Sequence, residues 1–318
     1  MIEVKNLVKR YGDFTAVDHL SFTVEKGQIY GFLGPNGAGK STTMNMITGY
    51  ISATEGTVFI DGYDMDQEPE KAKSRIGYLP EIPPVYPDMT PREYLMFAGQ
   101  LKGIPKKKLT TETDRVMELT GITHMSRRLI KNLSKGYRQR VGFSCALLGD
   151  PPVIILDEPT VGLDPKQIID IRELIRSLGR KHTVILSSHI LSEVSAVCDH
   201  VLIISGGKLA ASDTPENLTK RMQRTNVYDL LVQGEPVMLK GLLGRIPGLE
   251  VIETGCDASG FASVHLETRE TVDPRAAVFR LLAGADCPIM ELTSATMSLE
   301  DVFLELTEKE EGKDADNL

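Results

Sequence analysis

The run GPNGAGKS, from Gly34 to Ser41, constrains this chain more than any other stretch. It follows the apolar segment QIYGFL, which reads as a buried strand. It precedes KSTTMNMITGY, which reads as a helix ending near Gly49. A strand that passes through a glycine turn straight into a helix presents backbone N–H groups beside the positive helix end. Gly34, Pro35, Asn36, Gly37, Ala38 and Gly39 form that turn, and Lys40, Ser41 and Thr42 open the helix with a cation and hydroxyls. The pattern matches G-x-x-x-x-G-K-[ST]. In that pattern the amides surround a β-phosphate, the lysine reaches the β- and γ-phosphates, and the serine oxygen sits on Mg2+. The ligand expected is a di- or triphosphate with its metal.

A second segment, VIILDEP, supplies what that turn lacks. Asp157 closes an apolar strand, where its carboxylate can hold a water of the Mg2+ shell. Glu158 follows it and can polarise a water attacking the γ-phosphate, a general-base role that depends on position.

Around these segments the chain alternates strands with helices. MIEVKNLVKRYG and LSFTVEKGQ read as two strands of a partly exposed, hairpin-like sheet. GTVFIDGYDM adds another strand, and YPDMTPREYLMFAGQLKG through LTTETDRVMELTGI reads as helical. The strands PPVIILDEP, HTVILSSH and HVLIISGGKLAASD follow, with the helix DPKQIIDIRELIRSLG among them. Buried apolar strands separated by helices imply an α/β domain with a largely parallel sheet covered on both faces. The composition shifts at PENLTKRMQRTN, Pro215–Asn226, which reads as a linker. Beyond it the order strand, helix, strand, strand, helix, strand is that of the α+β ferredoxin-like split βαβ. A last helix, SLEDVFLELTEKEE, runs into the polar tail GKDADNL, expected to be disordered. The domains expected are residues 1–220 and 221–307, with a tail at 308–318, which suits a chain of 318 residues.

The net charge of −8 disfavours a general nucleic-acid binder. The four cysteines show no metal-ligand spacing and read as small buried residues in a reducing compartment. The opening stretch lacks the apolar core of a signal peptide, and no apolar run is long enough to span a bilayer, so direct membrane insertion is not expected.

With these motifs in order, the first 220 or so residues resemble the ATP-binding-cassette (ABC) ATPases. LSKGYRQR, Leu133–Arg140, is similar to the family's signature sequence. VGLDP, ending in Asp164 and Pro165, matches the D-loop, and SSH places His189 at the switch histidine. Tyr11 matches the aromatic residue on which such proteins stack adenine. The resemblance implies a mixed-sheet core with an antiparallel β subdomain and an α-helical subdomain. It implies ATP and Mg2+ as ligands, and a head-to-tail homodimer. Each ATP would lie between the phosphate loop of one copy and Ser134 and the Gly136 amide of the other, with Asp164 nearby. Lys40, Glu158 and His189 would carry the hydrolysis.

Two departures accompany the resemblance. Glu81, in IGYLPE, stands where most members have glutamine; its carboxylate could still ligate Mg2+ but adds negative charge beside the γ-phosphate. Lys135 and Tyr137 replace a glycine and the usual glutamine of the signature. These substitutions look like those of the type-two exporter subfamily, whose permease is separately encoded. The function implied is the ATP-hydrolysing motor subunit of an exporter. It would sit on the cytoplasmic face of the cell membrane through a multi-span permease, which EIPPVYPDMTPREYL would contact. The alternative is a soluble ABC ATPase acting on ribosomes or DNA. The C-terminal domain could serve dimerisation, regulation or ligand sensing.

Overall fold

The computed structural model describes residues 1–222, 225–256, 261–269, 273–295 and 303. The chain divides into two compact units at Pro215 and Glu216.

The first unit opens with β1 (Ile2–Tyr11) and β2 (Phe14–Val24), an antiparallel pair. β3 (Ile29–Leu33) leads through the glycine turn into α1 (Lys40–Ile47). Next come β4 (Glu55–Ile60), β5 (Tyr63–Asp64), α2 (Pro69–Ser74) and β6 (Ile76–Leu79). The helices α3 (Pro91–Leu101), α4 (Lys106–Leu119) and α5 (Lys135–Ala146) follow. Then β7 (Val153–Asp157), α6 (Pro165–Gly179), β8 (Thr183–Ser187), α7 (Leu191–Val197) and the hairpin β9 (His200–Ser205) and β10 (Lys208–Asp213) complete the unit.

Two sheets result. The antiparallel one has the order β2-β1-β4-β5, and the central one β10-β9-β3-β8-β7-β6. In the central sheet β9, β3, β8, β7 and β6 run parallel, and β10 closes one edge antiparallel. Every residue of β3, β7 and β8 is buried, as strands covered on both faces require. One apolar core joins the two sheets, with Leu7, Phe22, Phe32, Met44, Ile47 and Ile155 in it. Each such side chain contributes about 1.5–3 kcal/mol by leaving water. β2 begins at Phe14, well before the Leu20 start expected. His19 sits at φ 49 beside a register shift, which breaks the alternation that reveals a strand.

The helices α3, α4 and α5 pack on one another. Thr90 caps α3 in a reciprocal box with Glu93. Lys102 Nζ donates to the carbonyls of Cys145 (3.0 Å), Leu148 (3.3 Å) and Ala146 (3.4 Å), and Arg115 to that of Leu147 (3.0 Å). Two cations thus hold the negative end of α5.

Pro215–Asn226, expected as a linker, is regular rather than irregular chain: Pro215–Met222 forms α8, and β11 (Thr225–Val232) starts within it. Proline suits the first helical turn, where its missing N–H is not needed, Glu216 favours the helix dipole, and Leu218 is buried. The polar composition of the stretch concealed a helix in which Leu218 is the one buried side chain among the described residues. In the second unit α9 (Pro236–Leu243), β12 (Leu249–Cys256), β13 (Ala262–Arg269), α10 (Arg275–Gly284) and β14 (Ile289–Ala295) follow β11. The antiparallel sheet has the order β12-β13-β11-β14, the split βαβ arrangement. Tyr228, Leu230, Val264 and Leu266 build its core with Leu239 and Leu282 of the helices. Apart from Phe303, the expected last helix and the tail lie outside the described residues. Cys198 and Cys287 are buried, Cys145 is half-buried and Cys256 is exposed, so the buried-cysteine expectation fails for Cys256.

Candidate active site

The carboxyl ends of β3, β8 and β7 lie side by side, because Phe32 registers with Ser187 and Ser187 with Asp157. That is where an α/β sheet places its ligands. The glycine turn leaves β3 there, and two of its glycines are obligatory. A Cβ on Gly34 would lie 2.5 Å from the Ile204 carbonyl oxygen, and one on Gly39 would lie 2.4 Å from that of Ala16. Gly39 also has φ 98 and caps α1 without a side chain, so the first-turn amides have no side-chain acceptor.

Lys40 is 8% exposed. Its Nζ donates to the carbonyls of Gly34 (2.7 Å) and Pro35 (3.1 Å), folding the side chain over its own turn. Burial holds its pKa below that of an ordinary lysine, and the charges of Glu158 and Asp157 oppose that shift. A buried cation with only carbonyl partners gains strongly from an anion, so the turn fits a polyphosphate.

Asp157 ends β7, buried. Its Oδ1 accepts from Ser187 Oγ at 2.5 Å, and the same Oγ accepts from the Glu158 N–H at 3.0 Å. Glu158 has φ 46, an uncommon conformation for a residue with a side chain. Its Oε2 lies 2.8 Å from His189 Nδ1. The histidine side chain is 53% exposed and the glutamate 13%.

Lys40, Glu158 and His189 meet at an open cleft of about 530 Å3, which Asp157 and Ser187 do not line. Tyr11, Phe14, Asn36, Gly37, Gly39, Lys40, Ser41, Thr42, Glu81, Glu158, Val161 and His189 line it. Tyr11 and Phe14 are register partners across the β1–β2 turn, both exposed. Two aromatic side chains therefore stand at the mouth, and Phe14 was not anticipated because an aromatic at a strand start carries no signal of its own. Ser187 was missed for a similar reason, since a serine after an apolar strand reads as its end. The doubled serine of SSH is the one cue that could have pointed to it.

Ser134, Gly136 and Asp164 do not line this cleft. Ser134 is exposed and caps α5, its Oγ accepting from the Tyr137 N–H at 3.4 Å. Gly136 is buried, and a Cβ there would meet Gln167 Oε1 at 2.4 Å. Asp164 caps α6 through the Gln167 N–H at 2.9 Å. The signature departures have partners within the chain. Lys135 lies over Gly162, where an added Cβ would come within 2.2 Å of its Nζ, and Tyr137 Oη sits 3.1 Å from His124 Nε2. Among the described residues no group of three or more His, Cys, Asp or Glu side chains is placed to hold a metal. One hydroxyl and scattered carboxylates suit Mg2+, which keeps waters and takes phosphate oxygens as ligands.

A family model described as ABC transporter matches residues 17–161. The bacitracin transport ATP-binding protein BcrA of Bacillus licheniformis is 36% identical over 308 residues, 96% of this chain and 97% of that protein. The chain belongs to the ABC transporter ATP-binding proteins. It is an ATPase subunit of that family. The Nod factor export ATP-binding protein I of Ralstonia nicotianae is 33% identical over 314 residues, 98% of this ABC ATPase and 94% of that protein. A bacterial ABC transporter cassette solved as a dimer is 25% identical with a TM-score of 0.62, covering 67% of this chain and 98% of that one. Among the described residues no helix of this ABC ATPase is long and apolar enough to cross a membrane.

Proposed function

We propose that this chain is the motor of an exporter and that two copies close head to tail on ATP. The observation that carries the reading is the division of the motifs. The glycine turn, Glu158 and His189 share one cleft, whereas Ser134 stands exposed at the tip of α5, away from it. A second copy would bring that tip, with the Gly136 amide and Asp164, to the γ-phosphate. Residues 1–220 would form the ATPase domain and residues 221–307 an accessory dimerisation domain. Mg2+ would be held by Ser41, Asp157 and Glu81, and when bound it supplies charge neutralisation at the phosphates. The turn from Gly34 to Thr42 binds the phosphates, Lys40 neutralises them, and Tyr11 stacks the adenine. Glu158 takes the proton of the attacking water while His189 holds the carboxylate in place. Loss of the shared γ-phosphate then removes what joins the two copies.

Glu81→Gln removes one exposed charge from the cleft. It is expected to tighten ATP binding in the absence of metal by about two- to fivefold, the size of an exposed charge interaction. Titration with a fluorescent nucleotide reads this directly.

A multi-span permease is the partner proposed. A groove of about 440 Å3 beside Glu81 supports it, lined by Tyr50, Tyr78, Ile82, Pro83, Pro84 and Tyr94. Ile82 and Tyr50 are each 81% exposed. Such apolar exposure suits a protein contact, and the proteins named for bacitracin transport and Nod factor export favour export on a membrane's cytoplasmic face. The test is affinity purification of the tagged chain from membranes. A multi-span protein is expected to copurify with it and to be lost with Ile82→Asp. Purification of the chain alone from intact membranes would overturn the assignment.

A further inference from the structure

We propose that Ser187 is a positioning residue for hydrolysis, a hydroxyl clamp that sets the geometry of the catalytic glutamate. The inference rests on the reading of Glu158 as the general base. Ser187 is fully buried at the last position of β8, in register with Asp157 on one side and Phe32 on the other. Its one proton goes to Asp157 Oδ1, and its lone pair receives the Glu158 N–H. A single hydroxyl therefore joins the carboxylate proposed to serve the metal and the backbone of the next residue.

That backbone carries the strain. Glu158 leaves the strand at φ 46, a turn that costs on the order of 1 kcal/mol for a non-glycine residue. The Ser187 hydroxyl is the acceptor found for its N–H in that turn. The same turn brings Oε2 to 2.8 Å from His189 Nδ1 and the side chain to the cleft. Ser188, the next residue, completes the device just beyond the end of β8. Its Oγ accepts from the Ile190 N–H at 3.0 Å, turning the chain at His189 into α7. The first serine thus sets the glutamate and the second sets the histidine that meets it. Valine at 187 carries one more heavy atom than serine and no hydroxyl, and leaves the Asp157 oxygen and the Glu158 N–H without this partner.

The test compares Ser187→Thr with Ser187→Val, side chains of equal size that differ in the hydroxyl, and adds Ser187→Val in the Glu158→Gln background. In the full-length chain, Ser187→Val is expected to lower kcat by roughly 10- to 100-fold, as displacing a catalytic group from its working position does. KM for ATP should stay within about twofold, because the phosphate turn is untouched. Ser187→Thr is expected to recover most of the rate. In the Glu158→Gln background Ser187→Val should cost nothing further, since the group it positions is already gone. Equal rates for the threonine and valine variants would overturn the proposal, as would a full additional loss in the double variant. A Glu158→Gln variant that hydrolyses ATP normally would instead remove the base assignment itself, and with it the reason for the clamp.

Discussion

Replacing Glu158 by glutamine is expected to slow ATP hydrolysis by roughly 10²–10⁴-fold, the contribution typical of a positioned general base. Nucleotide binding should survive. The amide keeps the shape of the carboxylate, and the Glu158 N–H remains bonded to Ser187 Oγ. What disappears is the proton acceptor beside His189 Nδ1. The substitution also removes a negative charge that faces Lys40 across the cleft, which favours ATP slightly rather than opposing it. With hydrolysis blocked, the copies joined by ATP should remain joined, so light scattering should report a stable dimer in ATP and a monomer without it. Normal turnover in single-turnover assays would show that another group takes the proton.

The second large effect is expected at Lys40. Its buried ammonium has the carbonyls of Gly34 and Pro35 as partners, and burial disfavours its charge. A polyphosphate in the turn would relieve that cost with charge-assisted hydrogen bonds, worth about 1.5–3 kcal/mol. Lys40→Ala should therefore weaken ATP binding by on the order of 100-fold, since each 1.4 kcal/mol is about tenfold. Lys40→Arg should restore little, because a planar guanidinium cannot occupy the space of a compact ammonium folded over the turn. Isothermal titration with ATP separates the outcomes. An affinity within threefold of the unaltered chain would place the phosphates elsewhere.

The parts of this site that read directly from the sequence were those in which one short segment carries its own physics. GPNGAGKS joins a strand to a helix, and VIILD puts a carboxylate at the end of a buried strand; both reappear at adjacent strand ends in the central sheet. The order of elements after residue 225 likewise announced the split βαβ sheet. What stayed hidden depends on pairing between distant segments. Ser187 acquires its role because β8 lies between β3 and β7, and Phe14 because β1 and β2 align it with Tyr11. The helix α8 was hidden by polar residues on its exposed face, with Leu218 its single buried anchor among those described. Lys135 and Tyr137 read as departures from a signature, yet each meets a residue of its own chain, Gly162 and His124.

The central claim is that one copy's glycine turn and another's α5 tip hold the same ATP. A direct measurement mixes two preparations of Glu158→Gln chain in which the exposed Cys256 is replaced by serine, one carrying Asn36→Cys and the other Ser134→Cys, and oxidises them with and without ATP. Both positions are exposed in the single chain. An interchain disulfide between Asn36→Cys and Ser134→Cys that forms only with ATP is the result expected. Bound ATP with no such cross-link, or the same yield without nucleotide, would contradict it.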